Sequence, residues 1–334
     1  PDPPPRISIL IACPAETPYL RQALDGIARQ SYRAYEVILL PDAPTGRAWP
    51  DPVREIPTGR VRPAEKRNIG IREARGDIIA FLDDDACPVP DWLERAAGYF
   101  SIPGVVGVGG PGITPPDDPF LAQMSGQVFA SRLVSGGARH RYEPDRVREV
   151  DDFPSCNLFV AADALRRAGG FRTDYWPGED TVFCLKIVRD LGLKIVYEPD
   201  AIVYHHRREF YSGHLRQIRS YAMHRGFFVK KFPETSRKPA YFMPSALAVG
   251  LVFGWMAGFI WKPLWFAYAV TVLFYLAAVL FSACFSFNPR RIWYVFSGIV
   301  FSHLTYGVWF LRGLFSRNIG YHGQDSRKMA GGAQ

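Results

Sequence analysis

From Phe242 to Leu311 the chain carries only three formal charges, Lys262, Arg290 and Arg291. A stretch of that length and composition cannot face water along its whole surface, so hydrocarbon or protein must cover it. It divides into three apolar runs, Phe242 to Trp261, Leu264 to Phe287 and Ile292 to Leu311, each about long enough to cross a hydrocarbon core roughly 30 Å thick. Lys262-Pro263 separates the first two, and Asn288-Pro289-Arg290-Arg291 the second and third. Two crossings return Arg290 and Arg291 to the side of the preceding residues, as the excess of cations on cytoplasmic loops requires. A third would carry Arg312, Arg317, Arg327 and Lys328 to the opposite side, against the same rule. The first two runs are therefore read as spans. The third, which contains His303, Thr305, Gly307 and Gly313, is read as either a span or a re-entrant or interfacial segment. None of the runs contains Asp or Glu, the buried acids that mark ion and proton pathways, which argues against a transporter.

The rest of the chain is polar. Over all 334 residues, 40 Lys and Arg stand against 32 Asp and Glu, a net +8, with 48% hydrophobic and 22% charged residues. That balance excludes a disordered or collagen-like polymer. Residues 1–206 are expected to form a water-soluble domain, 207–240 a basic interfacial region, 241–313 the membrane region and 314–334 a tail. Cys13, Cys87, Cys156, Cys184 and Cys284 show no CxxC spacing and read as reduced thiols without a zinc-type cluster. The apolar run Ile7 to Ala12 is too short for a signal peptide, so the domain is expected to face the cytoplasm from a multi-pass anchor in the cytoplasmic membrane.

Within that domain, Ile7 to Ala12 is a short β-branched run of the kind buried on both faces of a parallel sheet. Apolar positions from Tyr19 to Gln30 recur at helical spacing, and Glu36 to Leu40 forms a second buried strand closed by Pro41-Asp42. A helix from about Ala64 to Ala74 leads to a third strand, Asp77 to Leu82. Such alternation predicts an α/β domain with a mainly parallel sheet and its ligands at the carboxyl ends of the strands, where Asp42 and Asp83-Asp84-Asp85 stand. Gly104 to Asp152, rich in Gly, Pro and Arg with no sustained period, is expected to be a long loop-bearing insertion covering a site. Leu158 to Val160 resumes a strand. A helix from about Asp180 to Leu191, closed by Gly192, precedes short strands at Lys194 to Tyr197 and Ala201 to Tyr204. From Arg207 to Lys238, cations are interleaved with aromatic residues just before the first apolar run, a composition suited to anionic headgroups rather than to nucleic acid.

Asp83-Asp84-Asp85 follows the strand Ile78 to Leu82 and precedes Pro88 and Pro90. Adjacent carboxylates repel one another, so the triplet is either a solvated acidic turn or a site that a hard cation neutralises, with Mg²⁺ and Mn²⁺ the natural candidates. The surrounding string, Arg67-Asn68-Ile69-Gly70 through Gly76-Asp77-Ile78-Ile79-Ala80-Phe81-Leu82-Asp83-Asp84-Asp85 and on to Pro90-Asp91-Trp92-Leu93, resembles the core of glycosyltransferase family 2, inverting nucleotide-sugar enzymes of GT-A fold. Ala168-Gly169-Gly170-Phe171, Gly178-Glu179-Asp180 and Tyr197-Glu198-Pro199-Asp200 through His205-His206 resemble that family's acceptor-side motifs in the same order. The match runs from about Ile7 to Arg208.

The resemblance implies a GT-A domain, a Rossmann-like mainly parallel sheet, with a divalent metal as cofactor. Asp83 and Asp85 would hold the metal on the donor's diphosphate, and Asp84 would contact ribose or sugar. Asp42 matches a nucleobase-reading aspartate, although Pro41 stands where the family often has a first aspartate. Arg67 matches a residue lining the nucleotide pocket. Glu16 follows the first strand near the nucleotide, with Cys13-Pro14-Ala15 departing from the usual pattern. Asp180 takes the place of the catalytic base that removes the acceptor's proton, with Glu179 orienting the acceptor or tuning its neighbour; the same aspartate could instead cap the following helix. His205, in preference to His206, would complete the metal shell. Trp176 would stack on an acceptor sugar. Gln217-Ile218-Arg219-Ser220-Tyr221 does not reproduce the Gln-x-x-Arg-Trp motif of the processive members. The expected activity is transfer of one sugar from a UDP-, GDP- or dTDP-linked donor to a membrane-associated, lipid-linked glycan acceptor. A polyprenyl-phosphate glycosyl synthase and a non-catalytic scaffold or sugar-nucleotide sensor stand as alternatives.

Overall fold

In the computed structural model, residues 3–286 and 288–319 are described; Phe287 of the second expected span and most of the expected tail, with Arg327 and Lys328, lie outside them. The strands are β1 (Ile7–Ala12), β2 (Tyr35–Leu40), β3 (Val53–Glu55), β4 (Ile78–Asp83), β5 (Ala86–Pro88), β6 (Val105–Gly109), β7 (Gly112–Ile113), β8 (Arg148–Val150), β9 (Asn157–Ala161), β10 (Lys194–Tyr197) and β11 (Val203–His205). Helices of the same part are α1 (Pro18–Ala28), α2 (Pro63–Glu73), α3 (Trp92–Ala97), α4 (Phe120–Ala130), α5 (Arg132–Ser135), α6 (Ala162–Ala168) and α7 (Glu179–Leu185). Then follow α8 (Ser212–Lys231), α9 (Pro233–Ser236), α10 (Pro239–Phe253), α11 (Pro263–Ala283) and α12 (Pro289–Phe315).

The main sheet has the order β3-β2-β1-β4-β9-β6-β10-β8. Its first four strands are parallel, β9 runs against both β4 and β6, and β6 and β10 are parallel again. Both faces are buried, which explains the uninterrupted apolar strands. Ile7, Ile9 and Ile11 point into one core layer with Leu20, Ile27 and Trp92. Leu10, Ile38, Ile79 and Phe81 point into the other with Leu165, Phe171 and Phe183.

The expectation of a loop-bearing insertion over Gly104 to Asp152 is corrected. This segment contains β6, a strand inside the main sheet, and the eleven-residue helix α4. The glycines that disguised β6 are there for close packing. A Cβ on Gly109 would lie 2.3 Å from the Phe153 ring, and one on Gly107 would lie 3.0 Å from Ile195, so strand glycine here marks contact rather than a break. Helix α4 packs on α12, with Phe120 against Tyr294 and Val128 beside Gly298.

A second, three-stranded sheet, β5-β11-β7, sits at the carboxyl end of β4. Its register pairs His205 with Ala86, and this carries the end of β11 to the acidic triplet across more than a hundred residues of chain.

Candidate active site

The carboxyl ends of β1, β2 and β4 meet beneath α2, whose Lys66 and Arg67 are adjacent in sequence and both buried. Lys66 Nζ donates to the Cys13 carbonyl at 2.6 Å, the Leu40 carbonyl at 3.0 Å and Asp42 Oδ1 at 2.5 Å. One ammonium thus ties two strand ends and the expected base-reading aspartate together. Arg67 turns toward the centre, with Nη2 3.0 Å from Asp83 Oδ1 and Nη1 3.2 Å from Glu179 Oε1. Burial works against its charge, but Asp83, Asp180 and Glu179 together raise its pKa further.

Asp83, Asp85 and His205 place one ligand atom each within 4.8 Å of one another. His205 Nε2 lies 3.0 Å from Asp85 Oδ1. Burial opposes protonation of this imidazole, yet the Asp85 carboxylate outweighs it and raises the pKa to about 10. Asp84 is pushed up to about 7, first by burial and then by Asp85 and Asp83. Two carboxylates with one imidazole form a donor set that fits Mn²⁺ or a similar divalent cation. His206 is used differently. Its Nε2 is 2.7 Å from Gln22 Oε1, its Nδ1 bonds Asp118, and its ring packs 4.3 Å from Tyr19, which makes it a strut between α1 and the loop before α4.

On the other flank stands the Gly178-Glu179-Asp180 turn. Gly178 has φ 117°, and a Cβ there would lie 2.8 Å from the Phe228 ring of α8, so glycine is required twice over. This glycine is the cap residue of α7, and Asp180 stands in the first turn. Burial pushes both carboxyls up, Glu179 being further raised by Asp180, while Arg67 opposes the rise in each. Ser155 N–H donates to Asp180 Oδ2 at 3.2 Å; Asp180 Oδ1 and Glu179 Oε2 are buried without a hydrogen-bond partner among the described residues.

Two expected site residues stand at the margin. Glu16, in the β1–α1 loop, is paired with Arg21 at 2.7 Å and Arg47 at 3.4 Å. Trp176, just before the Gly-Glu-Asp turn, is 40% exposed. Sequence reasoning passed over Lys66, Ser155 and Asp152. Asp152 accepts from Thr181 Oγ1 at 3.1 Å and Arg225 Nη2 at 3.1 Å, with Arg141 at 3.6 Å. Neither Lys66 nor Ser155 leaves a signal: a lysine beside Arg67 on a helix is as readily solvated, and Ser155 acts through its backbone.

Residues 8–161 match the model of glycosyl transferase family 2. A pre-mycofactocin glycosyltransferase of Mycobacterium tuberculosis is 28% identical over 195 residues, covering 58% of this chain and 39% of that protein, so the chain spans about two fifths of that relative's length. A glucosyl-dolichyl phosphate glucuronosyltransferase of Haloferax volcanii is 25% identical over 153 residues, 43% of this chain and 47% of that one. Among solved structures, a mannosyltransferase of Pyrobaculum calidifontis, in complex with GDP-Man and Mn²⁺, superposes with a TM-score of 0.56 at 18% identity, covering 94% of this chain and 88% of that one. At that identity the likeness is one of fold.

Proposed function

Since the chain carries a glycosyltransferase family 2 domain of GT-A fold followed by three apolar helices, we propose that it is a membrane-anchored, metal-dependent inverting glycosyltransferase. It moves one sugar from a nucleoside diphosphate sugar to a hydroxyl or phosphate of a lipid-linked acceptor. The observation that carries this reading is the convergence of two acidic groups from distant parts of the chain on one arginine, Arg67 being bonded to Asp83 and to Glu179. One group suits the donor's diphosphate, the other an acceptor's proton.

Asp83, Asp85 and His205 would hold the divalent cation, which when bound supplies neutralising charge to the departing diphosphate. Asp42, fixed by Lys66, faces the nucleobase, Glu16 borders the nucleotide, and Asp84 contacts ribose or sugar. Asp180 receives the proton of an acceptor hydroxyl. Its Oδ2 is held by Ser155 N–H while Oδ1 is left free to accept, and burial raises its pKa toward the range in which a general base works best. Glu179, held by Arg67, positions its neighbour, and Trp176 offers an aromatic surface to the acceptor. The name of the Haloferax relative, which refers to a dolichyl phosphate sugar, and the apolar helices support a lipid-linked acceptor.

The test is nucleoside diphosphate release by the detergent-purified protein from UDP-, GDP- and dTDP-sugars, with Mn²⁺ or chelator and a membrane lipid extract as acceptor. Metal-dependent release from one donor, lost in Asp180→Asn, is expected. Donor binding without release from any donor and acceptor would favour a sensor or scaffold instead.

A further inference from the structure

The third apolar helix does not leave the protein in the way the first two do. Of the most apolar stretch in each, 44% is buried for α12, against 17% for α10 with its following turn and 6% for α11. The most extensive partner is α8, with α4 and α10 also packed on α12. Tyr211, directly before α8, has its OH 2.7 Å from Ser297 Oγ, and His214 Nε2 is 2.9 Å from Ser302 Oγ. Arg219 lies 3.8 Å from the Trp309 ring, and Lys230 Nζ donates to the Ser316 carbonyl at 2.7 Å. From Tyr211–Ser297 at one end to Lys230–Ser316 at the other the partners advance in the same direction, so the two helices run side by side for nearly all of α8. A Cβ on Gly313 would lie 2.0 Å from the Met223 carbonyl and one on Gly226 2.1 Å from that of Phe310, the close backbone approach of a fixed pair.

Helix α8 carries Arg216, Arg219, Arg225, Lys230 and Lys231 and no acid. It is pinned to the α/β domain by Arg225 on Asp152 and by Phe228 under Gly178. Five cations fixed along α12 cannot follow it through hydrocarbon, where each Lys or Arg is strongly opposed. The uncovered side of α12 presents Trp293, Phe301, Val308 and Phe315, 64%, 45%, 57% and 79% exposed, with Phe301 at its edge against the Tyr211 ring at 5.7 Å, a stripe repeating about every two helical turns.

We propose that α12 lies flat in the membrane interface beside α8, with the Trp293-to-Phe315 stripe in the headgroup–acyl boundary of an anionic leaflet, and that only the α10–α11 hairpin crosses the bilayer. Charge complementarity supports the anionic surface, since Arg216, Arg219, Lys230, Lys231 and Arg312 are exposed on this pair. The hairpin is continuous with it. Phe242 packs on Phe310, Ser245 Oγ donates to the Gly307 carbonyl at 2.9 Å, and Tyr275 OH is 3.0 Å from His303 Nδ1, so both legs are rooted on α12. Residues 249–261 then reach about 20 Å further. Added to the roughly 5–10 Å depth of an interfacial helix, that brings the tip to the far side of a hydrocarbon core about 30 Å thick. Lys262 stands at this tip, ringed by exposed Trp255, Trp261 and Trp265, an aromatic belt with a cation. Arg290, Arg291, Arg312 and Arg317 all remain on the side of the α/β domain. This topology rests on helix packing and holds whether or not the chain transfers sugar.

The test uses the full chain with Cys284→Ser, reconstituted in phosphatidylcholine–phosphatidylglycerol vesicles, with single nitroxide-labelled cysteines at Trp293, Phe301, Val308 and Phe315, and at Leu273 of α11 as a deep reference. Equal, shallow depths at the four α12 sites are expected. Labels at 301 and 308 as deep as that at 273 would overturn the proposal. In sealed vesicles, an impermeant maleimide should label Arg290→Cys and Arg317→Cys from the same side and Lys262→Cys from the other; labelling of 290 and 317 from opposite sides would overturn it independently. Omitting phosphatidylglycerol should raise collisions of the Phe315 label with a water-soluble relaxer, and unchanged collisions would remove the anionic leaflet from the proposal.

Discussion

The two acidic groups of the site are neutralised by different means. Asp83, Asp84 and Asp85 are consecutive, so the covalent chain itself forces their charges together, and Asp84 is raised to about 7 by burial and its neighbours. Glu179 and Asp180 are also consecutive, but they lie at the start of a helix whose position depends on Phe228 under Gly178 and on Arg67 reaching across to Glu179. In the first group Asp83 is paired with Arg67 and Asp85 with His205, which leaves Asp84 as the acid pushed up; in the second, Arg67 opposes the rise of both carboxyls. Arg67, bonded to Asp83 and to Glu179, is the counter-ion the two groups share, and it sets their spacing.

The sharpest way to break this contrast is Asp180→Asn. Transfer should fall by roughly 10²- to 10⁴-fold, the usual weight of a general base, while donor binding stays within a few-fold; undiminished turnover would remove the assignment. Asp83→Ala or Asp85→Ala should act on the other side, weakening donor binding about tenfold or more and abolishing its response to chelator, which calorimetry with and without Mn²⁺ would read. Binding indifferent to chelator in the parent protein would contradict the metal role. Arg67→Lys keeps the charge but loses the fork that touches both groups. With a charge-assisted hydrogen bond contributing about 1.5–3 kcal/mol, turnover should drop roughly tenfold to a hundredfold.

Smaller effects sharpen the comparison through the scaffold. Gly178→Ala places a side chain at φ 117° and against the Phe228 ring, and should cost about 1–3 kcal/mol, seen as a lower melting temperature that Phe228→Leu partly restores. Burial would raise the Asp152 carboxyl, but Arg141 and Arg225 hold it down at about 2. A carboxyl whose folded pKa lies below its unfolded value, about 3.9, contributes its full stability above that value and loses it as pH falls through the folded one. Asp152→Asn should accordingly flatten the stability profile below about pH 4, and an unchanged acid-unfolding midpoint would count against the pairing.

Much of this was legible in the residues alone. The strands β1, β2 and β4 read directly because burial on both faces leaves unbroken apolar runs, and the acidic triplet stands out because chain neighbours repel. The strand β6 did not read, since its glycines serve contact with Phe153 and Ile195 that only the folded sheet supplies. Lys66 was passed over and is the clamp on Asp42. His205 was separable from His206 only by resemblance, until strand pairing placed one opposite Ala86 and the other against Asp118 and Gln22.

By itself, the sequence determined the α/β domain, the apolar block behind it and the carboxylates at the strand ends, because periodicity, hydrophobicity and adjacent charge are properties of neighbouring residues. The tertiary structure alone decided which distant groups share Arg67, and that α12 is bound along a basic helix while most of α11 is left uncovered. Those outcomes depend on packing between segments far apart in the chain, and no local pattern encodes them.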